Sequence, residues 1–152
     1  TMPTASWKSV CYGNGKFVAV ASSNSNAVAY STDGITWTKT TLPASASWGS
    51  VCHGNGKFVV VAYNSSIAAY STDGITWTRA TMPNTSWESV CYGDGKFVAV
   101  AYDSSITAYS TDGITWTEAT MPNTSWNSVC YGDGKFVAVA DYGNIISAYT
   151  LA

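Results

Sequence analysis

The chain has 152 residues, with seven Lys and Arg against nine Asp and Glu, a net charge of −2 and only 11% charged residues. Six Lys and the single Arg79 are too few to neutralise a phosphate backbone, which excludes a nucleic-acid binder. The longest apolar run, Phe58 to Ala62, falls far short of the ~20 residues of a membrane helix, so no helical membrane span is expected.

One unit recurs along the chain, starting at Thr1, Thr41, Thr81 and Thr120. Its leading tryptophans, Trp7, Trp48, Trp87 and Trp126, are 41, 39 and 39 residues apart. The first interval holds two extra residues, one between Ala21 and Tyr30 and one in Ala44-Ser45-Ala46-Ser47. Each unit reads as four strands. Strand A is Trp7 to Tyr12, and Asn14-Gly15 then turns the chain, matched by Asn55-Gly56, Asp94-Gly95 and Asp133-Gly134. Strand B is Lys16 to Ala21, and a Ser/Asn-rich loop leads to strand C, Ala27 to Ser31. Asp33-Gly34 is expected to make a second two-residue turn, with positive φ at its glycine and at Gly74. Strand D is Ile35 to Thr38, and a Pro-containing loop returns to the next strand A.

Strand B is apolar on both faces, with Phe17, Ala19 and Ala21 on one and Val18 and Val20 on the other. A sheet with one wet face would alternate apolar and polar residues. Two dry faces mean that each sheet is sandwiched between neighbours. Four-stranded sheets repeating every ~40 residues with both faces covered describe an all-β propeller. The blades are 1–40, 41–80, 81–119 and 120–152 of a single domain. A β-sandwich is the rival architecture, but it gives no reason for a four-strand repeat.

The C–D segment Ser31-Thr32-Asp33-Gly34-Ile35-Thr36-Trp37 recurs unchanged at Ser71 to Trp77 and Ser110 to Trp116. It resembles the Asp-box (BNR) hairpin of sialidase-type propellers, Ser-x-Asp-x-Gly-x-Thr-Trp, shortened by one residue between Asp and Trp. The resemblance implies a structural hairpin at the blade periphery, carried by Asp33, Gly34, Trp37, Asp73, Gly74, Trp77, Asp112, Gly113 and Trp116. Sialidase chemistry does not follow. Those enzymes hold their substrate carboxylate with three arginines, and Arg79 stands alone here.

No asymmetric constellation for catalysis is visible. His53 stands where other copies have Tyr12, Tyr92 and Tyr131, with no Ser, Cys or Asp partner evident. Cys11, Cys52, Cys91 and Cys130 occupy one equivalent position, a spacing unlike a zinc motif, and are expected to be unpaired and buried. Free thiols suit a reducing compartment or recombinant production. The acids are turn residues in equivalent environments, which gives no split acid/base pair. No catalytic residue, metal or cofactor is assigned. Differences among copies concentrate in the D–A and B–C loops and in the residue after the leading Trp, which is Lys8, Gly49, Glu88 or Asn127.

The expected function is a non-enzymatic repeat scaffold, amplified from one blade or engineered, that assembles through its blade faces. The alternative is a multivalent lectin-like propeller that takes a glycan. Its candidate contacts are Trp7, Trp48, Trp87, Trp126, Tyr63, Asn64, Tyr102, Asp103 and Tyr142. Copy 4 stops at Ala152 without a strand D. Closure is therefore expected either as four blades in one chain or as eight blades in a homodimer, the dimer favoured.

Overall fold

The computed structural model describes residues 1–141 and the backbone of 147–149, and every regular element among them is a β-strand. Blade 1 is built from β1 (Trp7–Gly13), β2 (Lys16–Ala21), β3 (Ser25–Ser31) and the first part of β4 (Thr38–Gly54). Blade 2 takes the rest of β4, then β5 (Lys57–Tyr63), β6 (Ser65–Ser71) and the first part of β7 (Thr78–Gly93). Blade 3 takes the rest of β7, then β8 (Lys96–Tyr102), β9 (Ser104–Ser110) and β10 (Thr117–Thr124). Blade 4 holds β11 (Trp126–Gly132), β12 (Lys135–Ala140) and β13 (Ser147–Tyr149). All neighbouring strands within a blade are antiparallel. This is a β-propeller arc, as the dry-faced strand B requires.

The A–B turns form as their dipeptides dictate. Asn14 and Gly15 take φ of 47° and 74°, and Gly13 pairs directly with Lys16 across them. Asn and Gly bear this left-handed backbone at little cost, and two such residues match the twist of a hairpin.

The C–D segment departs from the sequence expectation. Gly34 and Gly74 do take positive φ, 74° and 73°, but there is no two-residue turn. Tyr30 pairs with Thr38, so the loop runs from Ser31 to Trp37 and strand D begins at Thr38 rather than Ile35. The carboxylate is the reason. Asp33 Oδ1 accepts the N–H groups of Ile35 and Thr36 at 2.8 and 2.7 Å. Donors satisfied inside the turn have no call to join the ladder with strand C.

The D–A connection is not a loop either. β4 runs unbroken for 17 residues through Pro43. Its first part pairs with β3 and its second with β5. Proline lacks an N–H but accepts extended backbone, so it fits where the strand crosses between two sheets.

The core lies between blades. Val18, Val20 and Val28 of blade 1 pack with Leu42, Trp48, Val60 and Trp77 of blade 2, and the next two junctions repeat the pattern. Two further contacts recur at all three junctions and a third at the first two. A strand A serine accepts the N–H of the next blade's valine, in Val51 to Ser9 (3.1 Å), Val90 to Ser50 (3.2 Å) and Val129 to Ser89 (3.2 Å). The glycine ending strand A lies under the next blade's ring. A Cβ on Gly13, Gly54 or Gly93 would collide with His53, Tyr92 or Tyr131 respectively. Third, Val18 and Val59 press on the hairpin glycines of the following blades, Gly74 and Gly113.

Candidate functional site

The B–C loops and D–A crossings meet on one face, because the chain pairs them. Ser47 pairs with Tyr63 and Ser86 with Tyr102, while Ser65 pairs with Thr85 and Ser104 with Thr124. The B–C loops of blades 2 and 3 are tight, and Asn64 and Asp103 supply their positive φ, 52° and 48°. The extra residue of copy 1 adds a second such position, so that Ser23 and Asn24 take φ of 70° and 51°.

Two clefts open on this face. One, of about 310 Å³, is lined by Asn24, Ser45, Ser47, Tyr63, Asn64 and Ser65. The other, of about 240 Å³, lies between Lys8, Ser22, Ser47, Tyr63 and Glu88. Tyr63 stands on both, 6.3 Å from the Tyr102 ring at a tilt of 53°. Hydroxyl, amide and tyrosine groups offer hydrogen bonds and an apolar ring, the means of holding a polyol.

The sequence candidates thus fall into two groups. Tyr63 and Asn64 line a cleft, and Tyr102 and Asp103 occupy the matching loop of blade 3. Tyr142 lies outside the described residues. The tryptophans stand elsewhere. Trp48, Trp87 and Trp126 are fully buried between blades and offer a ligand no face, while Trp7 on blade 1 is half-buried. The reason is geometric. A strand's leading Trp points into the junction, and Nε1 of Trp87 and Trp126 donates to the carbonyls of Pro83 and Pro122.

One pairing escaped the sequence reading. The residue after each leading Trp is the extra residue of a β-bulge, since Trp48 pairs with Ala62 and Ser50 with Val61. A bulge re-aims its side chain. Lys8 of blade 1 reaches Glu88 of blade 3 at 3.4 Å, over Gly49 of blade 2. A side chain at Gly49 would meet the Trp87 carbonyl at 2.9 Å. Lys8, Gly49 and Glu88 were legible as a variable position, but the bulge that gathers them was not.

The hairpin carboxylates are occupied by their own turns. The N–H groups of Thr36 and Ile35 and the Ser31 hydroxyl hold Asp33 well below the ordinary carboxylate range. Burial pushes Asp73 upward, but the N–H groups of Ile75 and Thr76 and the Ser71 hydroxyl outweigh it and bring the carboxyl to about 2. Asp112 is lowered by the Thr115 N–H, against burial, with help from Ile114 and Ser110. The hairpin tryptophans pack behind these turns, Trp37 at 6.5 Å from Phe17 and Trp77 at 6.5 Å from Phe58. Trp116, half-buried, joins the blade 2–3 core in the same way. His53 packs 4.7 Å from Phe58, and burial lowers its pKa.

The four cysteines are unpaired, but only Cys52 is buried outright. Cys11 and Cys91 are half-buried, and Cys130 is exposed, because no blade of this chain covers blade 4 on that side. Burial pushes the Cys11 and Cys91 thiols up to about 12, and burial with the neighbouring Cys11 and Cys91 raises Cys52. Such thiols stay protonated and make poor nucleophiles.

The family model of the DUF6242 beta propeller domain matches residues 3–135. No curated protein matches the chain. Among solved structures, virginiamycin B lyase from Staphylococcus aureus superposes with a TM-score of 0.78 at 16% identity, over 99% of this chain and 58% of its own. YCF48 from Cyanidioschyzon merolae gives 0.74 at 16% identity, over 98% of this chain and 54% of its own. The computationally designed Ika4 protein gives 0.73 at 8% identity, over 97% and 92% of the two chains. At these identities the likeness carries the fold, and the chain spans little more than half of the lyase.

Proposed function

The chain belongs to the DUF6242 beta propeller domain family, and on that premise we propose that it is a non-enzymatic repeat scaffold that assembles through its blade faces. One observation carries this reading. All three internal junctions use the same contacts, Ser9 to Val51, Ser50 to Val90 and Ser89 to Val129, with a ring on a glycine beside each. A surface that docks the same way three times is built for stacking. The groups that would carry chemistry support the reading as well, since Asp33, Asp73 and Asp112 are committed to their own turns and His53 to a ring stack. The hairpin serves as an Asp-box-like staple at the outer edge of blades 1, 2 and 3. Near-identical copies fit amplification of a single blade, or design.

A second reading, a lectin-like binder, draws on the cleft at Tyr63 and Asn64. A glycan array probed with the 152-residue chain separates the two. We expect silence. Binding of several related sugars that Tyr63→Ala abolishes would replace the scaffold with the lectin.

A further inference from the structure

The blades repeat closely, so the places where they differ stand out, and several of those places meet. The extra residue of copy 1 lies in its B–C loop, where Ser23 and Asn24 both take positive φ. The extra residue of copy 2 lies in Ala44-Ser45-Ala46-Ser47. The chain sets the two side by side, because Ser25 pairs with Ala46. Asn24, Ser45 and Ser47 thereby line the cleft of about 310 Å³, which meets the cleft of about 240 Å³ at Ser47 and Tyr63.

The variable residue after each leading Trp converges on the same place. Lys8, Gly49 and Glu88 all line the smaller cleft. Gly49 has no side chain to fill it, and Lys8 and Glu88 meet across it with side chains 48% and 17% exposed. Trp48 lines this cleft too. The insertion of copy 2 deprives it of the proline carbonyl that Trp7, Trp87 and Trp126 use, and its buried Nε1 has no partner among the described residues. An unmet buried N–H costs stability. Drift would scatter such departures among the blades, whereas these gather around Ser47 and Tyr63.

The groups in the smaller cleft decide what it takes. One ammonium and one carboxylate leave it without net charge, so Glu88 opposes a simple anion and Lys8 a simple cation. A partly exposed ion pair is held weakly, and it opens at little cost to a ligand that carries both charges and turns one pair into two. The Ser22 and Ser47 hydroxyls add hydrogen bonds, and Tyr63, 38% exposed, presents an apolar ring. The volume lies below the roughly 300–1,000 Å³ of drug-sized pockets and suits one small molecule. We infer that this cleft binds a free aromatic α-amino acid as its zwitterion. The ammonium lies on Glu88, the carboxylate on Lys8 and the side chain on the Tyr63 ring. A neutral sugar gains nothing from the ion pair. The site goes beyond the scaffold reading and asks no chemistry of it.

The test is an NMR titration of the isotope-labelled chain at low salt with L-phenylalanine, with its amide, which keeps only the ammonium, and with phenylpropanoate, which keeps only the carboxylate. L-Phenylalanine is expected to move the amides of Ser22, Ser47 and Gly49 and to bind about fivefold more tightly than either analogue, the worth of one partly exposed ion pair. Glu88→Gln should abolish its advantage over phenylpropanoate, and Lys8→Met its advantage over the amide. The same spectra show whether each variant is folded, and if one is not, the ranking of the three ligands on the parent decides alone. No shift with L-phenylalanine overturns the inference. So do shifts centred elsewhere, an analogue or glucose that binds as tightly, or a folded variant that keeps the parent's ranking.

Discussion

In the A–B hairpin of blade 2, Asn55 and Gly56 both take positive φ, 46° and 71°, and Gly54 pairs with Lys57 immediately across them. In the C–D hairpin of the same blade, only Gly74 does, and the ladder closes at Tyr70 and Thr78. Both regions begin from an Asx-Gly pair. The first follows backbone preference, its one tie to the preceding blade being the Gly56 carbonyl that accepts Asn14 Nδ2 at 3.0 Å, and nothing lies within 4 Å of a Cβ on Gly56. The second is shaped by a carboxylate that holds Ile75 and Thr76, and it is packed under the preceding blade, where Val18 Cγ2 would lie 2.9 Å from a Cβ on Gly74. A turn dipeptide therefore states that the chain reverses, while the acceptor beside it and the neighbour above it decide how.

The largest expected break in this comparison is at the glycines. Gly74→Val combines left-handed strain with overlap against Val18 and Phe58. It should cost about 4 kcal/mol, the sum of a strain and an overpacking term. Gly56→Val carries strain without overlap and should cost about 2 kcal/mol. Chemical denaturation of both variants reads the difference, and equal losses would mean that the C–D hairpin is not packed against blade 1.

The acids come next. Asp73→Ala removes two accepted backbone bonds and should cost about 1.5 kcal/mol. Asp94→Asn, which copies Asn14 and Asn55 into the solvent-facing turn, should stay within about 0.5 kcal/mol. The sign of the pH dependence follows from the depressed carboxyls. Their contribution is full above the ordinary aspartate value of 3.8 and is lost as pH falls through the folded value, about 2 for Asp73. Acid denaturation followed by tryptophan fluorescence should therefore show stability falling between about pH 4 and 2, with Asp73→Ala less steep there than the parent.

The smallest effect belongs to His53, one residue before Gly54, the glycine that ends strand A. Its folded pKa is lowered from 6.5 by burial, so folding resists its protonation. Stability is then full above that value and falls as pH drops below it. Melting temperatures at pH 7.5 and 5 should differ slightly more in the parent than in His53→Tyr.

Much of the fold was legible because its signals are local. The register of A with B follows from Asn14-Gly15 and a strand apolar on both faces, and the repeat multiplies that inference four times. The candidate site was legible in part. Tyr63, Asn64, Tyr102 and Asp103 stood out as variable loop residues, and they do share a face. The tryptophans misled because an aromatic side chain looks the same in sequence whether it faces solvent or a neighbouring blade.

Spacing decided finer points. Trp7, Trp87 and Trp126 each donate Nε1 to a proline carbonyl four residues earlier. In copy 2 the inserted residue puts Pro43 five residues before Trp48, and the buried Trp48 Nε1 has no partner. The insertion was visible in the sequence, but its cost was not, because it appears only once a carbonyl and an indole are placed in one interior.

By itself the sequence determined the repeat, the A–B turns and the dryness of both sheet faces, since each rests on residues within a few positions of one another. Only the tertiary structure decided that Ile35 to Trp37 leave the ladder and that Lys8 reaches Glu88 across Gly49. Those outcomes depend on which groups the other blades bring within hydrogen-bonding or van der Waals range, and stacking brings together residues some forty to eighty positions apart.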